Sequence, residues 1–522
     1  MTAPAFDVLA QRYGPGYKWL ATAAVMAGCI ATVLSSTIVN VAMPDIMGEF
    51  GMGQDQVQWL STAFLASMTA SMLATDWTLR TFGVRRAYLG AMAAFVAASL
   101  LGSVSPGVEA LILSRSIQGA AAGLVQPLAM VVVFSVFGAE NRGMAMGVFG
   151  LGVVLAPALG PTVGGLLIDN YSWRYVFLVG PPFCALSMGL ALAFLPGQAD
   201  DAQPRPFDLL GFVLLCVGIG ALLAGISNGQ REGWDSSYVL GAFVASLCGW
   251  VAFAAHERAC AHPLLALDVY LNPRFLAASV VAFILGMGLF GSTYLIPLFV
   301  QMVQGYSPTE SGLLLMPGGL ALGVVMPLAG RFADRLPPYQ FIMVGLAVFG
   351  LSSLLMAEVG VSTDFWDFAG WIVIGRVGLG LILPSLNSGA LRLLDVRHMA
   401  QGAGAINFSR QLGGALGVSL LSVYLERQTE LYAQAFNALQ QGTHAAADTL
   451  DLVSLMLVRS GQLDNVAQAL RPPQAYQFFS EMIAAQARTM GFRESFLLVA
   501  VAFFVAVLPA WFMRPGKRID RG

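Results

Sequence analysis

The chain is a succession of apolar runs of about 20 residues or a little more, parted by short segments that hold nearly all of its charge. Spanning about 30 Å of hydrocarbon takes around 20 residues, and these runs are too many and too long to be core helices of a water-soluble domain. Apolar windows fall near 19–42, 57–79, 87–104, 108–137, 142–168 and 173–195. Two follow near 209–227 and 238–255, and six more near 275–303, 311–332, 340–358, 366–394, 401–425 and 494–513. Composition agrees: 57% of the 522 residues are hydrophobic and 11% charged, against about 25% charged in an ordinary soluble domain. The expectation is an all-α polytopic membrane protein with fourteen transmembrane helices, grouped six, two and six.

Lys and Arg stay on the cytoplasmic side of short loops. Arg12, Lys18, Arg80, Arg85, Arg86, Arg142, Arg205, Arg258, Arg274, Arg331, Arg335, Arg392, Arg397 and Arg514 all fall on one side of this topology. The opposite loops 43–56, 105–109, 304–310 and 359–365 contain neither residue. Both termini are therefore expected in the cytoplasm, as an even number of crossings requires. No basic n-region with a cleavable short apolar stretch opens the chain, so the first span reads as a retained anchor. The net charge of -2 and the lack of any basic block point away from nucleic acid.

Weak internal similarity supports two related halves. RTFGVRR (80–86) after the second span has a counterpart in GRFADRL (330–336), with Asp334 and Arg335, after the tenth. Arg115, Gly119, Gly123 and Pro127 of the fourth span are echoed by Arg376, Gly380 and Pro384 of the twelfth. Repeated six-span halves around a midplane site are the expected architecture of a secondary transporter. The reading divides the chain into a six-helix bundle at 1–195, a linker with two extra helices at 196–274, and a second bundle at 275–522. The second bundle carries a long outer loop at 426–493, where Leu425, Tyr432, Phe436 and Leu439 have helical spacing and 450–458 is an apolar cluster too short to span. That loop reads either as a cap on the protein or headgroups, or as a docking surface for a periplasmic partner.

In the fifth span, GLGVVLAPALGPTVGG (150–165) places Gly152, Ala156, Gly160 and Gly164 four apart beside Pro157, Pro161 and Gly165. In water this would be a poor helix, since each interior Gly costs about 1 kcal/mol and each Pro about 3. In a bilayer a bare stripe lets a second helix approach backbone to backbone, and the segment reads as a bent, close-packed interface where two parts of the protein slide or rock.

Charge inside a span is costly and is the first place to look for function. Arg115, Arg376 and Arg410 lie deep in their spans with no equally deep acid, so the interior reads as positive. Each arginine is either tied structurally to carbonyls and amides or held for a functional partner, an anionic substrate group or an unplaced carboxylate. Arg115 is followed by Gln118 and lies at a depth similar to Ser35, Ser36 and Asn40. Asn407, Arg410 and Gln411 share one helical face, which reads equally as cavity lining or interhelical glue. The residues expected to line a central cavity are Ser35, Asn40, Gln126, Arg376, Asn407, Arg410 and Gln411.

Enzymatic and metal readings are disfavoured. The four histidines, His256, His262, His398 and His444, are read as loop residues, the five cysteines are scattered without CxxC spacing, and no HExxH occurs. No metal or cofactor is expected. No GxxxxGK[ST] appears, so the energy source should be an ion gradient rather than ATP.

Several of these segments carry a resemblance. SSTIVNVAMP (35–44), ILSRSIQGAAAG (112–123), LAPALGPTVGG (155–165), SWRYVFLVGPP (172–182) and INFSRQLGGALG (406–417) resemble, in order and placement, motifs of the fourteen-span drug:proton antiporter branch of the major facilitator superfamily, of the EmrB type. The resemblance implies a major facilitator fold in a bacterial inner membrane, exporting amphiphilic or toxic small molecules by proton antiport and alternating access. It implies that Arg115, with Gln118, serves proton coupling, and that the 155–165 motif lies at the bundle interface. The 80–86 loop, with Arg80, Arg85 and Arg86, would latch the bundles on the cytoplasmic side. EmrB-type proteins work with a periplasmic adaptor and an outer-membrane channel. Two positions depart from the pattern: Ser35 stands where the branch usually has an acid, and Asp76 where the loop motif usually has Gly. The rival readings are a proton-coupled importer and a non-transporting membrane scaffold or sensor. The positive interior adds the expectation of an anionic amphiphile as preferred substrate.

Overall fold

A bilayer offers no partner to a backbone N–H or C=O, so each apolar run must satisfy its own hydrogen bonds, and within a single segment only a helix does so. The computed structural model of the chain follows that rule. It describes residues 3–51, 54–138, 141–197, 206–261, 263–265, 268–395, 398–440 and 471–514, and most of their side chains. The helices are α1 (Ala3–Tyr13), α2 (Tyr17–Phe50), α3 (Gln54–Ser71), α4 (Thr75–Ser103), α5 (Val108–Val136), α6 (Arg142–Asn170) and α7 (Gly180–Phe194). They continue with α8 (Leu209–Glu232), α9 (Ser237–Ala259), the single turn α10 (Asp268–Leu271), α11 (Pro273–Met302) and α12 (Pro308–Arg335). The last are α13 (Pro338–Met356), α14 (Phe365–Arg392), α15 (Met399–Gln440) and α16 (Arg471–Phe512). No strand occurs among the described residues.

Local chemistry sets the helix ends. Asp208, Ser236, Asn272, Ser307 and Asp364 each accept a backbone N–H from the first turn of α8, α9, α11, α12 and α14, and at α12 the Ser307–Glu310 pair is a reciprocal capping box. Eleven described stretches are long and apolar enough to cross a membrane. One of them, Trp59–Ser103, is 45 residues, which as a straight helix would be about 68 Å long, more than twice the hydrocarbon thickness. The chain bends out of it at Gly83, whose φ of 73° and ψ of 171° lie in the region that favours glycine. That residue sits in the 80–86 segment read from the sequence as a loop, and it separates the windows at 57–79 and 87–104.

The helices pack in a repeated pattern. In a first set, α2 packs on α5, α6 and α7, α3 and α4 pack on α5, and α4 on α7. In a second set, α11 packs on α14, α15 and α16, α12 and α13 pack on α14, and α13 on α16. The helices α8 and α9 pair with each other, and α8 touches α3 and α15. Because lipid is as apolar as Leu, contact between spans depends on close van der Waals packing at small residues. Gly119 and Gly123 of α5 lie against the backbone at Phe64 and Met68 of α3, and Gly286 of α11 against that of Arg410 on α15. An added methyl group at any of the three would meet a carbonyl.

The outward ends of α15 and α16 extend the fold. The helical spacing at Leu425, Tyr432 and Phe436 is matched by α15 continuing to Gln440, while α16 starts at Arg471, well before the last apolar window. Tyr432 donates to Glu494 Oε1 at 3.2 Å, and Gly491 lies against Leu425 and Thr429, so the two extensions are paired. The apolar cluster at 450–458 and the side chain of Leu439 lie outside the described residues.

Candidate functional site

Arg115 organises the interior of the first set. It is fully buried, and its guanidinium donates to Leu60 O at 3.3 Å, Ser35 O at 3.1 Å, Gln118 Oε1 at 3.0 Å and, weakly, Ser35 Oγ at 3.5 Å. Its carbon lies 4.1 Å from the centre of the Phe64 ring, a placement worth about 2 kcal/mol when desolvated. Gln118 is fixed in turn by donating to Ser99 Oγ at 2.8 Å, and Ser99 donates to Phe95 O. Every partner is neutral, and Nη2 is buried with no hydrogen-bond partner among the described residues. A permanently charged donor held this way can accept an anionic group or bias a nearby protonation.

Arg376 of α14 is also buried. With Ser292 of α11, Ser353 of α13 and Phe496 of α16 it lines a small cavity inside the second set. Arg410 donates to Asn407 Oδ1, while Asn407 donates to Ala403 O at 2.8 Å and reaches Met130 Sδ of α5 at 3.1 Å. Gln411 is buried beside them. Asp76 pairs with Arg80 and Glu49 with Arg174, and among the described residues none of the three deep arginines has a carboxylate partner.

The residues expected to line one cavity divide among separate places. Ser35 is a buried partner of Arg115. Asn40 is exposed on the outer half of α2 and accepts from Ser61 Oγ at 2.7 Å. Gln126 is buried on α5, and Arg376 lies within the second set. The Asn407–Arg410–Gln411 face turns into the contact between the sets, so in this conformation the glue reading describes Asn407.

The glycine stripe of α6 needs a correction. Gly152 lies against Met26 and Ile30, Gly160 against Thr37 and Ile38, and Gly164 against Ile38 and Val41. All of these belong to α2 of the same set, so Gly152, Gly160 and Gly164 face an internal seam here, while α6 as a helix packs on α12 and α14 of the second set. Nothing lies close to Gly165, and the side chains of Ala156, Pro157 and Pro161 lie outside the described residues. Close contact between sets is made within about two and a half turns before Gly152, where Gly147 and Gly150 lie against Met326 of α12 and Gly330 of α12 lies against Gly143. Sequence reasoning missed these residues: Gly143 and Gly147 are four apart but lie one residue out of register with the stripe that begins at Gly152. On the other side of the molecule Gly404 of α15 approaches the backbone of Met72. By the arginine distribution, these contacts lie at the cytoplasmic ends of their helices.

Two residues of the expected cytoplasmic latch make contacts within the first set. Asp76 pairs with Arg80 at 2.7 Å, one turn away on α4. Arg85 donates to Leu195 O at 2.7 Å, holding α4 to the end of α7 rather than to the second set. Arg86 and Arg335 are exposed, and the side chain of Asp334 lies outside the described residues. A further correction concerns His256, Glu257 and Arg258: read as linker residues, they form the last turn of α9. There His256 Nε2 lies 2.7 Å from Asp208 Oδ1. No proximity in sequence signalled this pairing across 48 residues.

A family model described as Major Facilitator Superfamily matches residues 25–418. The multidrug export protein EmrB of Haemophilus influenzae is 27% identical over 506 residues, covering 95% of this chain and 96% of that protein. A multidrug resistance protein B homolog of Mycobacterium tuberculosis is 32% identical over 410 residues, covering 77% of this chain and 75% of its own length. Among solved structures, the proton:xylose symporter XylE superposes with a TM-score of 0.62 at 13% identity, covering 96% of this chain and 97% of that one, which is a likeness of fold. The doubled helix pairing, the apolar spans and the family match lead to one assignment: this chain belongs to the major facilitator superfamily, a family of multi-pass membrane transporters and not of enzymes.

Proposed function

We propose that the chain is an inner-membrane exporter of drugs or other toxic amphiphilic compounds, driven by proton antiport and working by alternating access. In this reading it makes fourteen crossings, with 1–195 and 275–522 as two rocking bundles and 196–274 carrying two peripheral helices. The observation that carries the reading is the repeated pairing of α2–α7 and α11–α16, with close contacts between them at Gly147, Gly330, Gly404 and Asn407 towards the cytoplasmic ends of the helices. Close packing between the sets at their cytoplasmic ends is what an outward-facing state of such a transporter requires. The names of the relatives, multidrug export and multidrug resistance proteins, supply the direction and the class of compound.

Arg115 is the proposed coupling residue, because it is a fixed buried charge balanced only by dipoles. Among the described residues no carboxylate pairs with Arg115, Arg376 or Arg410, which favours substrates with an anionic group. The paired extensions of α15 and α16 would offer a periplasmic adaptor a site and so link the exporter to an outer-membrane channel. Inverted vesicles with an acidic interior test the reading. Amphiphilic weak acids should accumulate inside and be released when the pH gradient is collapsed, and Arg115→Ala should insert normally but lose at least 90% of the flux, as an order-of-magnitude expectation for removing a buried functional charge. Flux in the opposite direction would make the protein an importer. Cationic dyes carried well while weak acids are not would remove the anionic preference.

A further inference from the structure

The two extra helices carry a polar cluster that transport does not use. Asp208, at the N-cap of α8, has a side chain only 5% exposed. Its Oδ1 accepts the Gly211 N–H at 2.9 Å and lies 2.7 Å from His256 Nε2. Cys260 is the C-cap of α9, one turn beyond His256, with its N–H bonded to His256 O at 2.9 Å. One ligand atom from each of Asp208, His256 and Cys260 lies within 4.8 Å of the other two.

A cap and a His–Asp pair do not account for the whole arrangement. Asp208 Oδ2 is buried without a hydrogen-bond partner among the described residues, and so is Oε1 of the 4% exposed Glu257. Both oxygens lie within 3.0 Å of a single point beside Gly211. Glu257 is held there by its other oxygen, which accepts the Leu265 N–H at 3.2 Å. Two buried carboxylate oxygens facing one spot without a donor among the described residues are unfavourable as anions, and a cation beside them, or a proton on one of them, relieves the cost.

We propose that Asp208, His256 and Cys260 bind a divalent metal ion of the zinc type, with the Glu257 carboxylate as an anionic neighbour. The donor set chooses the class of ion. One carboxylate oxygen, one imidazole nitrogen and one thiolate sulfur match a borderline-soft metal, whereas calcium and magnesium take oxygen. Bonds of about 2.0–2.3 Å put neighbouring tetrahedral ligands about 3.3–3.8 Å apart, inside the spread these atoms already have. His256 and Cys260, four apart on one helix face, need no rearrangement to point together. The support is rigid: Ser246 Oγ donates to Gly218 O at 2.8 Å, and Gly249 lies on the Gly218 backbone, which fixes α8 against α9. Residue 208 is where the first connection enters α8 and residue 260 is where the second leaves α9, so one ion would clamp both connections together.

Cobalt(II) is the probe, added to the metal-stripped full-length protein in lipid nanodiscs. The wild-type chain should bind about one equivalent, with a thiolate-to-cobalt absorption band in the near ultraviolet that zinc abolishes by competition. Cys260→Ser should remove the band, and His256→Gln should weaken binding at least tenfold, whereas Cys248→Ser should leave both unchanged. Circular dichroism and a monodisperse elution profile confirm that each variant is folded. His256→Gln leaves the α8 cap in place and serves where Asp208→Asn fails to fold. Absence of the band in the wild type overturns the proposal. So does a band that persists in Cys260→Ser.

Discussion

At Arg115 the fold has desolvated a guanidinium without a counter-ion among the described residues, and its neutral partners define what a substitution there does. Hydrogen bonds to a charged group contribute about 1.5–3 kcal/mol each, and the planar fork makes several of them at once. Arg115→Lys keeps the charge but loses the simultaneous bonds to Ser35 and Gln118, so flux should fall markedly while membrane insertion is retained. Gln118→Ala should give a smaller loss in the same vesicle assay. Ser35→Asp is the more informative change, because Ser35 Oγ already lies 3.5 Å from Arg115 Nη1. The arginine is buried in any case, so a carboxylate there should stabilise the protein by about 1.5–3 kcal/mol, seen as a higher melting temperature in detergent. An unchanged or lower melting temperature would show that neutral dipoles already satisfy Arg115. The depth of the arginines was legible in the sequence, because hydropathy is a local property. Their partners were not, because Leu60 O and Ser35 O are backbone atoms that no side-chain pattern records.

At the scale of the helix, α6 carries two different seams on one continuous run of small residues. Its later glycines, Gly160 and Gly164, lie on α2, whereas Gly143, Gly147 and Gly150 meet α12. A bare stripe specifies that some helix approaches closely, but it does not name the helix, which is why the sequence assigned the stripe to the wrong neighbour. The two seams should respond differently to added bulk. Gly160→Leu overpacks an internal contact, at a cost of about 1–3 kcal/mol, and should lower the yield of monodisperse protein. Gly147→Leu places the same bulk between the two sets at their cytoplasmic ends. It should shift the balance towards cytoplasmic opening by roughly 5- to 150-fold, read as longer spin-label distances between the inner ends of α6 and α12. If Gly147→Leu changes yield and not distance, that contact is structural and not a gate.

For the whole molecule, most of the crossings were readable because each must be apolar along its length regardless of its neighbours. The break at Gly83 was readable for a similar reason, since arginines on both sides of it cannot lie in hydrocarbon. The long-range polar contacts were not: Asp208 and His256 belong to connections on either side of a helical hairpin, and only the antiparallel packing of α8 on α9 joins them. The helix α15 is 42 residues long, about 63 Å at 1.5 Å per residue, and near one end it touches α5 through Asn407 and Met130. At the other end it is paired with α16, through Tyr432 and Glu494. If the sets rock about their cytoplasmic contacts, as proposed, α15 is a lever: a rotation of about 10° there would sweep its far tip through about 11 Å. A protein seated on that tip would be carried through each transport cycle, so the outer hairpin converts a small rocking angle into a stroke long enough to be passed on.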